Sequence, residues 1–291
     1  MPDLQLCVFE LDGAERLGAL RGEAVYDLSR LVPRWTSLDA LLADSLANIR
    51  ATLTGIAWRN APHHPLEQVQ LKTPLGGQEV WAAGVTYDRS RQARTEESHA
   101  PDVYDRVYTA ERPELFLKAM RSRTSGPGEP VAIRSDSHWD VPEAEIAIVA
   151  NAHMELVGFT AANDMSSREI EGQNPLYVPQ AKIYSYCLAL GPAITPCWEV
   201  RDPHALRIQL AIHRAGAVTF AGTTSTASMA RPFAELLAYL GRDNSFPGGV
   251  ILSTGTGIVP PDAFTLEAGD VVEITIDEIG TLRNPVIRLP E

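Results

Sequence analysis

Within VPEAEIAIV, Glu143 and Glu145 stand two positions apart in a run that favours a strand, so both carboxylates leave the same face of it. Two carboxylates held that close repel unless a proton or a cation intervenes, and a hard divalent ion removes the repulsion by taking oxygen from both. The plainer alternative for a bare Glu-x-Glu is a solvated strand face. The continuation, EIAIVANAHMELVGFTAAND, reads as a hairpin, with a first strand ending near Ala150, a polar turn at 151–153 and a second strand reaching Asn163. Pairing across that turn brings Asp164 to Glu143. Three converging protein oxygens with coordination positions left open suit an octahedral ion that keeps water or accepts a chelating substrate, so the expected ion is Mg2+ or Mn2+.

Other reactive side chains gather around this hairpin in the sequence. MSSREIEGQNPLYVPQAKIYS, read as a loop from its glycine and prolines, offers Arg168, Glu171 and Lys182. A lysine beside a divalent ion loses its proton more easily and can serve as acid or base; spacing alone leaves Arg168 and Lys182 equally open to being surface charges. Upstream, GVTYDRSRQARTEES carries Arg89 and Ser90, and RPELFLKA carries Glu114 and Lys118, a lysine set inside an apolar strand-like run. The loop STGTGIVPP can present backbone N–H groups and Thr256 to an anion. No phosphate-binding loop, dinucleotide fingerprint, Gly-x-Ser-x-Gly elbow or helical histidine pair occurs. His138 reads as a polar edge residue.

Composition narrows the class. The chain has 291 residues, 45% of them hydrophobic, and a formal net charge of -12, which disfavours binding to nucleic acid. Cys7, Cys187 and Cys197 are too few and scattered for a disulfide framework. No run of about 18 apolar residues and no signal-like start occurs, so a cytoplasmic protein without a membrane partner is expected.

The elements that must carry these residues are mostly strands. LQLCVFEL, RLGALRG and EAVYDLS suggest a small N-terminal sheet with a turn at Asp12-Gly13, and SLDALLADSLANIRATLTGI suggests one amphipathic helix capped by Ser37. The proline-broken stretch at 60–68 reads as a linker, placing a small α/β domain at 1–70 and a larger one at 71–291. Beyond it β patterns dominate, and helical periodicity returns only at 227–242. The expected class is α+β, mostly β, with a mixed or antiparallel sheet.

PEAEIAIV, GFTAANDMSSREIE, the Lys182 region, STGTG and GDVVEITIDEIGTLRNPV, in that order, resemble the fumarylacetoacetate hydrolase family. The resemblance implies a C-terminal mixed β-roll, a divalent metal (Mg2+, with Mn2+ or Ca2+ as alternatives) on Glu143, Glu145 and Asp164, a 2-keto acid substrate, and a homodimer or homotetramer. Hydrolases of that family carry a histidine in a pattern like Gly-x-Asn-Tyr-x-x-His, and GVTYDRSRQARTEES has none. That stretch, RPELFLKA and EGQNPLYVPQAKIY resemble the sugar-acid dehydratase branch instead. The branch implies dehydration of a 2-keto-3-deoxy sugar acid, with Lys182 and Glu114 as acid and base and with Arg89, Ser90, Lys118, Arg168 and Thr256 near the substrate. Hydrolysis of acylpyruvates or 2,4-diketo acids, and a non-catalytic 2-keto acid binding protein, are the alternatives.

Overall fold

The N-terminal strand patterns fold as a meander in the computed structural model, which describes residues 2–97 and 101–290. Strands β1 (Gln5–Leu11), β2 (Ala14–Arg21) and β3 (Ala24–Asp27) pair antiparallel in sequence order. Asp12 and Gly13 both take positive φ, 54° and 75°, the conformation that lets a two-residue turn follow the twist of its strands. A short helix, α1 (Leu28–Leu31), follows. The single helix expected from Ser37 to Ile56 is two, α2 (Leu38–Leu42) and α3 (Leu46–Gly55). Ser37 caps the first, and Ser45 accepts from the Asn48 N–H at 3.3 Å and starts the second. The stretch expected as a linker is woven into the sheet. β4 (His64–Pro65) pairs with β3, and β5 (Gln70–Lys72) pairs with β1. Proline is tolerated in β4 because the strand lies at the sheet edge.

The larger part of the chain then contributes β6 (Glu79–Gly84), α4 (Asp88–Glu97), α5 (Pro101–Thr109), β7 (Glu114–Ala119), β8 (Thr124–Ser125) and β9 (Val131–Ile133). After these come β10 (Asp140–Ala150), β11 (Leu156–Ser167), α6 (Arg168–Gln173), α7 (Val178–Lys182) and β12 (Leu188–Pro196). The chain ends with β13 (Arg207–Arg214), β14 (Ala217–Ser225), α8 (Phe233–Leu240), β15 (Val250–Ser253), β16 (Val271–Ile276) and β17 (Gly280–Arg288). One sheet runs β4, β3, β2, β1, β12, β11, β10, β15, β6, β7, and a second runs β14, β13, β16, β17, β9. Most neighbours are antiparallel, while β15 with β6, β12 with β8 and β17 with β9 are parallel, so the sheets are mixed. The N-terminal meander joins the large sheet where Leu6 of β1 meets Ile194 of β12.

The core lies where β10 and β11 pack against β13, β16 and β17. α8 closes one side through Phe233, whose ring centroid is 5.7 Å from that of Phe159 on β11. Helices α4 to α7 lie outside the single late helical region expected from periodicity. The reason is visible in α4, whose covered positions Ser90, Ala93 and Arg94 have helical spacing but are small or charged, leaving no apolar stripe to read. Among the described residues no helix is long and apolar enough to cross a membrane.

Candidate metal centre and active site

The hairpin register settles how the acids meet. β10 and β11 pair antiparallel with Glu143 directly opposite Asp164, and Glu145 two positions along the same face. All three are buried, and one carboxylate oxygen from each lies within 4.8 Å of the others. Sequence spacing and turn position were enough to foresee this cluster.

Cations surround two of the three acids. Lys182 Nζ, at the end of α7, donates to Glu143 Oε2 at 2.8 Å and to Asp164 Oδ2 at 3.2 Å. Lys118 Nζ lies 2.6 Å from Asp164 Oδ1 and also donates to the Met165 carbonyl. Arg94 Nη2 donates to Glu143 Oε1 at 2.7 Å, and Arg168 Nη2 approaches the same oxygen at 3.1 Å. Glu145 has neutral donors instead, the Ser253 hydroxyl at 2.6 Å and the Gly255 N–H at 2.7 Å, both on Oε2.

The electrostatics follow from these neighbours. Burial disfavours charge on Glu143, yet Lys182 and Arg94 outweigh it and hold its carboxyl at about 2. Burial and the charges of Asp164 and Glu143 push Glu145 well above the carboxylate range. Burial works against the Lys182 ammonium, but Asp164 and Glu143 more than compensate and keep it protonated. Burial, then Glu171, raises Glu114.

This donor set fits a divalent cation. With every carboxyl ionised, Glu97, Glu114, Glu143, Glu145, Asp164 and Glu171 outnumber the cationic Arg94, Lys118, Arg168 and Lys182 by two, an excess that a divalent ion would balance and that without it favours protonation of Glu145 and Glu114. The three clustered acids offer only hard oxygen ligands, and a cation among them removes the repulsion that drives Glu145 toward its neutral form.

A small cavity opens beside the cluster, lined by Ser90, Glu114, Lys182 and Thr256 along with the three acids. Its interior is about 20 Å³, room for an ion or a water. Glu114 reaches it across β6, opposite Gly84 in the strand pairing. A Cβ on Gly84 would lie 2.0 Å from Glu114 Oε2, so glycine there is what gives the carboxylate room. The next residue, Val85, holds a φ of 54°, a strained conformation for a β-branched side chain, where the chain turns from β6 toward α4.

The remaining sequence candidates divide by position. Ser90 lines the cavity and donates to the Tyr87 carbonyl at 2.8 Å, and Thr256 lines it and donates to the Ala144 carbonyl at 3.0 Å. Lys118 and Arg168 are buried behind Asp164 and Glu143 and do not line it. Arg89 lies exposed on the outer side of α4; the arginine of that helix that reaches the cavity is Arg94. Sequence reasoning missed Arg94, and it left Glu171 without a role although Glu171 lines the cavity as Arg94's partner. The spacing of Ser90, Ala93, Arg94 and Glu97 was the available signal, a helical stripe written in polar residues.

Residues 79–287 match the family described as fumarylacetoacetate (FAA) hydrolase, C-terminal. A Haloferax volcanii protein named a probable 2-keto-3-deoxyxylonate dehydratase is 43% identical over 282 residues, 95% of this chain and 96% of its own length. The 2-dehydro-3-deoxy-D-arabinonate dehydratase of Saccharolobus solfataricus is 42% identical over 239 residues, 80% of each chain. Among solved structures, a 2-keto-3-deoxy-D-arabinonate dehydratase complexed with magnesium and 2,5-dioxopentanoate superposes with a TM-score of 0.83 at 33% identity, over 99% of this chain and 100% of that one.

Proposed function

The chain belongs to the fumarylacetoacetate hydrolase family, and on that premise we propose that it is a Mg2+-dependent hydro-lyase of 2-keto-3-deoxy sugar acids. Its reaction takes 2-keto-3-deoxypentonate to water and 2-ketoglutarate semialdehyde, which is 2,5-dioxopentanoate, the compound in the magnesium complex of the related enzyme. The observation that carries this reading is the meeting of Glu143, Glu145 and Asp164 on one cavity with Lys182 and Glu114. Among the described residues no histidine lines that cavity, which weighs against activation of water for carbon-carbon cleavage.

Glu143, Glu145 and Asp164 would hold Mg2+, which would supply Lewis-acid charge beside the 2-keto group and make a C3 proton easier to remove. Mn2+ or Ca2+ would fit the same oxygens. Lys182 and Glu114 are the proton-transfer pair, one taking the C3 proton and the other protonating the C4 hydroxyl as it leaves as water. Burial keeps the Glu114 carboxyl protonated to higher pH than an ordinary glutamate, which suits it to the second part, and a cation on Glu143 and Asp164 would offset the carboxylate charge that keeps Lys182 protonated, which suits Lys182 to the first. Tautomerisation of the resulting unsaturated keto acid gives the semialdehyde. Ser90 and Thr256 offer hydroxyls to the substrate, Lys118 anchors Asp164, and Arg168 orients Glu143.

In the same reading residues 71–291 carry the chemistry and residues 1–70 form the small N-terminal unit, supported by the start of the family match at residue 79. The protein acts in the cytoplasm as a homodimer or homotetramer. Leu176, 82% exposed, and Tyr177 stand together ahead of α7 as apolar surface that a subunit contact would cover.

The decisive experiment incubates the purified protein with both enantiomers of 2-keto-3-deoxypentonate and Mg2+ and reads the products by mass spectrometry. Loss of one water from one enantiomer is expected. Unchanged substrate in both, with release of pyruvate from an acylpyruvate, would place the protein among the hydrolases; tight binding without turnover would make it a sensor.

A further inference from the structure

Three side chains from three elements converge on a single oxygen of Glu143, two by hydrogen bonds and Arg168 by charge alone. Arg94 of α4 brings Nη2 to 2.7 Å from Oε1, Arg168 of α6 brings Nη2 to 3.1 Å, and Ser166 of β11 donates its hydroxyl at 3.1 Å. Among the described residues, Oε2 is hydrogen-bonded by Lys182 alone, at 2.8 Å. A divalent ion approaching Oε1 would run into two guanidinium groups. One approaching Oε2 has only to displace an ammonium carried on a flexible stem.

The two arginines are themselves held in a lattice of alternating charge. Arg94 Nη1 donates to Glu171 Oε2 in a short ion pair and lies 3.8 Å from Glu97 Oε2. Arg168 Nη1 lies 3.5 Å from Glu97 Oε2 and 3.6 Å from Glu171 Oε2. All of these side chains are nearly buried, so their geometry is fixed far more firmly than that of an exposed pair. Gly172 completes the seam, because a Cβ there would lie 2.8 Å from the Glu97 carbonyl oxygen, where the end of α4 meets α6.

We propose that Arg94 is a positioning residue: with Arg168 and Ser166 it occupies Oε1 of Glu143, restricts that carboxylate to binding the cation through Oε2, and ties the orientation of a metal ligand to the seating of α4 on α6. This rests on the cation-binding reading above. Arg94 reaches the ion through Glu143, so its effect is on coordination before it is on chemistry.

The test compares wild type with Arg94→Gln and Arg94→Lys, with Arg91→Gln as control. Arg91 sits on the same helix, pairing with Asp88 and Asp105 away from the acids. Mn2+ affinity is read by calorimetry and the coordination of bound Mn2+ by electron paramagnetic resonance. Removing a positive charge beside three carboxylates would by itself tighten a cation. Positioning predicts the opposite: Arg94→Gln binds Mn2+ about tenfold to a hundredfold more weakly, with an altered spectrum and a kcat that falls more than KM rises. Arg94→Lys, which keeps the charge and loses the fork, recovers affinity only in part, and Arg91→Gln matches wild type. Equal or tighter Mn2+ binding by Arg94→Gln with an unchanged spectrum overturns the proposal. Should Arg94→Gln not fold, Ser166→Ala removes a neutral donor from the same oxygen: weaker binding with a shifted spectrum supports the proposal, and wild-type behaviour overturns it. Absence of Mn2+ binding by wild type would sink the cation reading and this one together, whereas normal wild-type binding with insensitive variants sinks only this one.

Discussion

β10 and β16 lie against one another across the two sheets, yet their residues obey opposite rules. In β16 burial alternates, with Val272, Ile274 and Ile276 inside and Val271, Glu273 and Thr275 half-exposed. Each buried side chain there contributes roughly 1.5–3 kcal/mol by leaving water. β10 is buried along its whole length, and Asp140, Glu143 and Glu145 are buried with it. Burying those acids opposes folding unless something of opposite charge meets them. Glu143 and Glu145 make the point within one strand, since cationic neighbours draw the first down to about 2 against its burial, while burial, with carboxylate neighbours adding to it, drives the second well up. A strand of the first kind is there to hold the fold. Acids retained in a strand of the second kind are there to hold something else.

The sharpest way to break that contrast is Glu145→Gln. A glutamate whose folded pKa is raised loses stability as pH climbs from its ordinary 4.5, so the metal-free wild type gives up stability above that pH and the amide variant does not. The expected outcome is a kcat/KM at least about a thousandfold lower, equivalent to about 4 kcal/mol, together with a higher metal-free Tm at pH 8. Steady-state kinetics and calorimetry of the metal-free protein read the two effects, and a variant that is both active and no more stable would erase the distinction. The mirror experiment is Ile274→Ala in β16, expected to cost about 2–5 kcal/mol in urea denaturation while leaving the Mn2+ affinity of the folded protein unchanged. A smaller effect refines the comparison within β10. Burial raises Asp140 to about 6 from 3.8, with Ser137 and Arg288 offsetting only part of it. Its carboxyl therefore contributes less and less stability as pH rises from about 4 to 6. Asp140→Asn is expected to gain about 1–2 kcal/mol at pH 8 and nothing at pH 4, measured by denaturation at the two values.

How much of this could be read from residues alone depended on which physical signal each region carries. The hairpin was legible because two signals agreed, the period-two placement of Glu143 and Glu145 and a polar turn that sets Asp164 across from Glu143. Lys118 stood out as a charge inside an apolar strand, though the structure sets it behind Asp164 and not against the cavity, where a substrate contact was expected. The fold class followed from strand patterns that are ordinary in β13 and β16. α4 was not legible, because periodicity is read in apolar residues and its covered face is Ser90, Ala93 and Arg94. Without the helix, choosing between Arg89 and Arg94 had no basis, since five positions on a helix turn a side chain well over a third of the way round. The 60–68 stretch misled for a different reason: prolines signal a break, yet an edge strand has an unpaired side where a missing N–H does no harm.

The pairing of Glu143 with Asp164 also sets a limit on how this ribbon can change its length. Neighbouring strand positions point to opposite faces, so losing or gaining one residue within β10 or β11 would turn one set of acids over into the apolar space shared with the second sheet. Substitutions along the hairpin are graded events, but a single-codon insertion or deletion within the regularly paired stretches, residues 143–148 and 159–164, is all-or-none. The bend at Val149 and Ala150, where the register already shifts, and the turn beside it can absorb such a change without moving the acids.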